Sequence, residues 1–583
     1  MCFQVDGVEV LHVRHTRELQ DYTIMQPKLH AGFLLGLFRG MDKPYQGAML
    51  VHDILIKNAR IVDGSGNPWF SGDIAISGGR IAAVGSNLRS QATQVIDAES
   101  KVVSPGFIDI HTHSDLPVLI DPDCASYIHQ GVTTQVIGNC GFSVAPVDAA
   151  TRDFFAEVGW IDADEYEWTW TRLSEYLATV ESRGVSTNVA ALAGHGTIRT
   201  TVMRYDNRRA SADELCKMRQ LADEAMQDGA FGISSGLIYV PGCYAPTEEL
   251  CALAEVSASH AGIYVTHIRG ENDTLIEAVR EAIQIGRHAG IPVQISHFKA
   301  MGKHMWGESE TTLAMLDEAR SEGIDVTADQ YPYTASATLM GAFLPPWAYE
   351  GGKQALFSRL SDPETRERIK QQIISGHEGW VSLHKGVGWD NVIITSCPKP
   401  EYEGKTIAGI AQERNASDFD TAFDLLVELD NRCNVVYYTI CEEDIERIMK
   451  HPALMIGSDS SSVAVTGPLS KGKPHPRYYG TFARVLGRYV REKKVLTLEE
   501  AVRKMTSLPA ARLGLLGRGL LRPGFAADVV VFDPETIQDT ATYLDPKSYA
   551  QGVEHVIVNG SIALSHGEHR KSRSGMVLRH SRT

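Results

Sequence analysis

Eight short, almost continuously apolar runs recur between residues 107 and 459, and they constrain this chain more than any other feature. They are Phe107–His113, Val132–Asn139, Asn188–His195, Ala230–Ser235, Ile263–Ile268, Val293–Phe298, Val326–Tyr331 and Leu454–Asp459. A run with no polar alternation has no solvent face, so it suits a strand covered on both sides, as in a parallel sheet. Helical periodicity fills several of the gaps, at Asp213–Gln227, Leu275–His288 and Thr312–Glu322. Strands alternating with helices predict an α/β fold, and eight of them predict a (β/α)8, TIM-like barrel. More than 100 residues separate the seventh run from the eighth. That is too long for a loop, so an inserted subdomain is expected at about 338–450.

The ends have a different texture. Asp53–Val62 and Asp73–Val84 read as hairpin strands joined by turn residues, and similar strands return at Ala527–Phe532 and Val556–Gly560. Segments 51–106 and 515–583 are therefore expected to form one small β-sandwich domain flanking a catalytic barrel at 107–514. Residues 1–50 show no clear period and read as an atypical N-terminal extension, or as sequence upstream of a start near Met49.

The net charge of -16 argues against a nucleic-acid partner. No apolar stretch approaches the roughly 20 residues that cross a bilayer; the longest early run, Ala31–Phe38, reads as neither signal peptide nor anchor. Nine cysteines without paired spacing point to thiols in a reducing cytoplasm. Oligomeric state is not encoded in any motif.

The strand ends carry the chemistry. In Asp109-Ile-His111-Thr-His113 the two histidines, two apart on a strand, face the same way. Alone, such a pair decides nothing. His267 and His297 stand one residue before the ends of the fifth and sixth runs, the eighth ends at Asp459, and Cys140 follows the second. Imidazole, thiolate and carboxylate donors at the C-terminal ends of barrel strands suit Zn2+ in an active site.

Several longer motifs are Asp63-Gly-Ser-Gly-Asn-Pro-Trp, Gly131-Val-Thr-Thr-Gln-Val-Ile-Gly-Asn-Cys-Gly, Ser234-Ser-Gly-Leu-Ile-Tyr239, Ser296-His-Phe-Lys299, Tyr331-Pro-Tyr-Thr-Ala-Ser and His475-Pro-Arg477-Tyr-Tyr-Gly-Thr-Phe. With the strand-end ligands, they resemble the N-acyl-D-amino-acid deacylase (D-aminoacylase) branch of the amidohydrolase superfamily, over nearly everything except the first 50 residues. The resemblance implies a tight zinc on Cys140, His267 and His297, with Cys140 in the place that other branches give to a carboxylated lysine. It implies a second, weaker metal position flanked by His111 and His113. It implies Asp459 as general base and acid beside the metal, and Lys299, Tyr333 and Arg477 around the substrate carboxylate. Tyr239 is expected to line the acyl or side-chain pocket.

The expected reaction is hydrolysis of a small-molecule N-acyl-D-amino acid by metal-activated water. The rivals are a dipeptidase or cyclic amidase activity and a non-catalytic homologue. Weaker candidates are His195, His304 with Trp306 as a mobile cover, and Arg269 with Glu271 as groups orienting His267. The basic run Arg484–Lys494 reads as a solvated helix face.

Overall fold

The computed structural model describes residues 51–158, 166–376, 380 and 382–581. The expectations for residues 1–50, the Ala31–Phe38 run included, lie outside the described residues.

All eight predicted runs form strands: β1 (Phe107–Asp109), β2 (Val132–Ile137), β3 (Asn188–Ala191), β4 (Gly232–Gly236), β5 (Ile263–His267), β6 (Val293–Ile295), β7 (Val326–Gln330) and β8 (Leu454–Ile456). Each pairs in parallel with the next, the step from β3 to β4 being made by Ala193–Gly194. A parallel bridge between Thr112 and Ser460 brings the end of β8 beside the end of β1, so the order of pairing closes on itself. Every strand residue is buried, which is why the runs carry no polar alternation.

The helices follow their local signals. Ala212–Gln227 starts with a capping box in which the Ser211 and Glu214 side chains each take the other's backbone N–H. Leu275–Ala289 buries a stripe of Leu275, Ala278, Val279, Ala282 and Ile283. It stops at Gly290, whose φ of 62° is cheap only without a side chain.

The long gap holds an antiparallel sheet of Ala335–Leu339, Asn434–Tyr438 and Val392–Ser396, with Asn434–Tyr438 in the middle. Helices Lys353–Ser361, Pro363–Ser375, Ile407–Arg414 and Asp418–Glu428 accompany it. Its apolar core, with Phe343, Leu356, Ile369, Ile394 and Phe423, is separate from that of the barrel.

At the ends, Val529–Phe532 pairs antiparallel with Val102–Pro105, which pairs in parallel with Val51–Ile61. One sheet thus joins the two ends of the described chain. The tail also reaches the barrel: Val577–Leu578 pairs in parallel with β3, through two apolar residues too few to signal a strand. The sheet leads straight into β1, where Phe107 stacks on Phe482 at 5.8 Å and leans on Phe532 at 6.3 Å. Phe107 therefore ties the outer sheet to the barrel. Phe107→Ala is expected to cost about 3–5 kcal/mol, read as an earlier urea transition with native-like circular dichroism before it.

Candidate metal centre

The donors arrive from five strands at one end of the barrel. His111 and His113 follow β1, Cys140 follows β2, His267 ends β5, His297 follows β6 and Asp459 follows β8. His267 Nδ1 lies 2.8 Å from His297 Nε2, and Cys140 Sγ lies 3.7 Å from that Nε2 and 3.3 Å from His111 Nε2. Asp459 Oδ1 is 3.1 Å from His113 Nε2 and 3.4 Å from His111 Nε2. Donor atoms of His111, Cys140, His297 and Asp459 all lie within 4.8 Å of one another.

The backbone is bent to achieve this. Cys140, His297 and Asp459 have φ of 52°, 35° and 51°, a region that costs a side-chain-bearing residue of order 1–3 kcal/mol. The turn before Cys140 needs Gly138, since a Cβ there would come within 2.2 Å of the Leu192 carbonyl oxygen. That contact packs the turn after β2 against the backbone just past β3.

Burial alone would raise the Cys140 thiol. The charge of His111 and hydrogen bonds from His111, His113 and His267 outweigh it and hold the thiol well below its usual range. Burial likewise opposes ionisation of Asp459, but Arg477 first and His111 next keep its carboxyl well below the usual carboxylate range. His113 is pushed up to about 9, because its hydrogen bonds to Asp459 and Cys140 overcome burial. Without a metal, the positive imidazoles of His111 and His113 thus balance the Cys140 thiolate and the Asp459 carboxylate, a balance that a bound cation would take over. Two ring nitrogens 2.8 Å apart share at most one proton, and His267 Nε2 is buried with no hydrogen-bond partner. A thiolate, imidazoles and a carboxylate at this spacing fit zinc.

A cavity of about 320 Å³ opens over the centre, and its lining includes Phe142, Val144, Phe155 and Tyr239 together with Tyr331, His475, Arg477 and Tyr478. Arg477 begins the helix Arg477–Arg484 and is buried. Its Nη1 sits 3.0 Å from Asp459 Oδ2, not aligned for a hydrogen bond, and its guanidinium lies 4.7 Å over the Tyr331 ring. Burial and Arg477 hold His475 neutral; its Nδ1 accepts from the Arg477 backbone N–H at 3.0 Å. Tyr239 lines the cavity, with its hydroxyl 3.0 Å from Thr338 Oγ1.

Other candidates fall differently. Lys299 lines the cavity, but its Nζ is turned to Glu271 and, at 2.9 Å, to His297 Nδ1. Tyr333 does not line it: its hydroxyl points to Pro476 and Asp539 with Arg484 over its ring, because the kink of Tyr331-Pro-Tyr sends the two tyrosines to opposite sides. Arg484 is consequently not a solvated charge but half-buried against Asp539. Glu271 meets His297 Nδ1 at 2.9 Å and His267 only at 3.8 Å, so it faces His297 first. Arg269 pairs with Glu281 instead. His195 is fully buried against Glu249, and His304 and Trp306 contact Asp273 and Thr439, all away from the cavity. Sequence reasoning missed Tyr331 and Asp329. The signal for Asp329 was a carboxylate inside the apolar run of β7, unaccounted for by any solvent face.

A sequence profile described as the amidohydrolase family matches residues 94–564. The chain belongs to this family, in its N-acyl-D-amino-acid deacylase branch. It is 36% identical over 531 residues to a D-aminoacylase of Alcaligenes xylosoxydans xylosoxydans, covering 90% of this chain and 97% of that one. It is 37% identical over 530 residues to an N-acyl-D-glutamate deacylase of the same organism, covering 90% and 96%. Among solved structures, an N-acyl-D-glutamate deacylase from Bordetella bronchiseptica, complexed with zinc and a phosphonate inhibitor, superposes with a TM-score of 0.76 at 36% identity, covering 91% of this chain and 100% of that one.

The electrostatics make a direct prediction. Metal-free protein should show one thiolate by ultraviolet absorbance at neutral pH, and Cys140→Ser should lack it; an unchanged signal in that variant would place the ionised thiol elsewhere.

Proposed function

We propose that this chain hydrolyses the amide bond of N-acyl-D-amino acids, giving a carboxylate and a free D-amino acid, with zinc as its metal. The observation that carries this reading is the convergence of Cys140, His267 and His297 beside Asp459, under a cavity that Arg477 also lines. Relatives covering nine-tenths of the chain and named for this chemistry support it.

Cys140, His267 and His297 would hold the tight zinc, and His111 and His113 would flank a weaker second position. Bound zinc supplies an activated water with a pKa near about 7 and polarises the scissile carbonyl. Asp459, kept ionised by Arg477, takes the water's proton and returns it to the leaving nitrogen. The planar fork of Arg477 suits a two-point hold on the substrate carboxylate, with the cation of Lys299 nearby. Tyr331, which lines the cavity, takes the place in that hold that Tyr333 was expected to have. Phe142 and Tyr239, which also line the cavity, suit the acyl group or side chain.

We read the barrel as 107–514 with its insertion at about 338–450, and the β-domain as 51–106 with 515–583. Within the described residues, no helix is long and apolar enough to cross a membrane. A cytoplasmic setting agrees with the free thiols of the described cysteines.

Purified protein is expected to contain at least about one zinc per chain and to release D-amino acid from N-acetyl-D substrates while leaving the L forms nearly untouched. A preference for L would sink the proposed carboxylate hold. Asp459→Asn should lower turnover by about 10²–10⁴-fold with zinc retained, whereas Cys140→Ala should lose tight zinc on metal analysis.

A further inference from the structure

Asp329 lies in β7 and is 1% exposed, yet it belongs to none of the roles assigned above. Its Oδ1 accepts two hydrogen bonds from the metal centre: from His111 Nδ1 at 3.1 Å and from the backbone N–H of His297 at 2.8 Å. Its own carbonyl accepts from the backbone N–H of Phe298 at 2.7 Å. Asp329 therefore grips both sides of the His297 turn, the one held at a φ of 35°. Its Oδ2 accepts from Gln294 Nε2 at 2.8 Å, which stops the carboxylate from rotating. Gly457 leaves the space for this: a Cβ there would come within 2.9 Å of His111 Cβ and 3.0 Å of Asp329 Oδ1.

We infer that Asp329 is a positioning residue shared by the two halves of the metal centre, presenting His111 Nε2 and His297 Nε2 toward Cys140 at once. This rests on the functional reading above. A carboxylate oxygen accepts, so the bond from His111 keeps a ring proton on Nδ1, and Nε2, which faces Cys140 Sγ and Asp459, is the nitrogen left to meet a metal once it gives up its own proton. Outer carboxylates of this kind set the tautomer and angle of a ligating histidine. The grip on the His297 backbone extends the same control to the second ligand through main-chain geometry. An asparagine cannot reproduce the arrangement. Its amide nitrogen is a donor, and it must face either the Gln294 donor or the two donors from His111 and His297.

The test is zinc retention, measured on full-length protein by competition with a chromophoric chelator. Asp329→Asn should hold zinc about 10–100-fold more weakly than wild type, while the far-ultraviolet circular dichroism of the chelator-treated protein stays that of a folded chain. With cobalt in place of zinc, its visible spectrum should differ from that of wild type. Gln294→Leu, which frees the carboxylate without removing it, should weaken zinc in the same direction but less, and it decides the matter if Asp329→Asn does not fold. Wild-type zinc uptake with unaltered retention in the variants would overturn the inference alone. A wild-type chain that takes up no zinc would remove the functional reading as well.

Discussion

The seam between the first and last barrel strands governs the rest of the structure. Past the end of β8, the Asp459 N–H donates to the His111 carbonyl at 2.9 Å and the His113 N–H donates to the Ser460 carbonyl at 2.8 Å. These two bonds continue the parallel pairing beyond β1 and β8 and set Asp459 against the histidine pair. Residues 348 positions apart in the chain become neighbours only because the strand order closes here. Without that seam the proposed base would have no fixed relation to the metal ligands, whatever its own chemistry.

Around the seam, charge is paired in layers. Asp459 balances Arg477, Asp329 faces His111, and Glu271 faces both Lys299 and His297. Each carboxylate is buried, and each is kept from isolation by a cation or an N–H donor, the condition on which a buried charge is tolerated. The same pairing gathers the donor atoms of His111, Cys140, His297 and Asp459 within 4.8 Å of one another. Protein stability and metal readiness thus draw on the same contacts, and loosening one carboxylate loosens several ligands.

Much of the fold was legible because burial on both faces leaves a clear trace. All eight runs became strands, and the helix at Ala212–Gln227 began at its capping serine. The inserted sheet was legible only as a gap, since its strands alternate less clearly, and the Val577–Leu578 strand was too short to leave a trace. In the site, the candidate donors were legible because strand ends are where barrels place chemistry. Tyr333 was misplaced because two residues in a kinked segment cannot be assigned to sides without knowing where the kink points. Arg484 was misread because its partner, Asp539, comes from the far end of the chain.

The sequence by itself determined the eight barrel strands, the donor residues at their ends and the family, since these rest on local periodicity, residue chemistry and contiguous motifs. Only the tertiary structure decided which ring nitrogen meets which oxygen, that Tyr331 rather than Tyr333 faces the cavity, and that Asp329 serves two histidines. The physical reason is that a hydrogen bond is set by distances of a few tenths of an ångström between residues remote in sequence. No local pattern in the chain carries that distance; the closing of the barrel creates it.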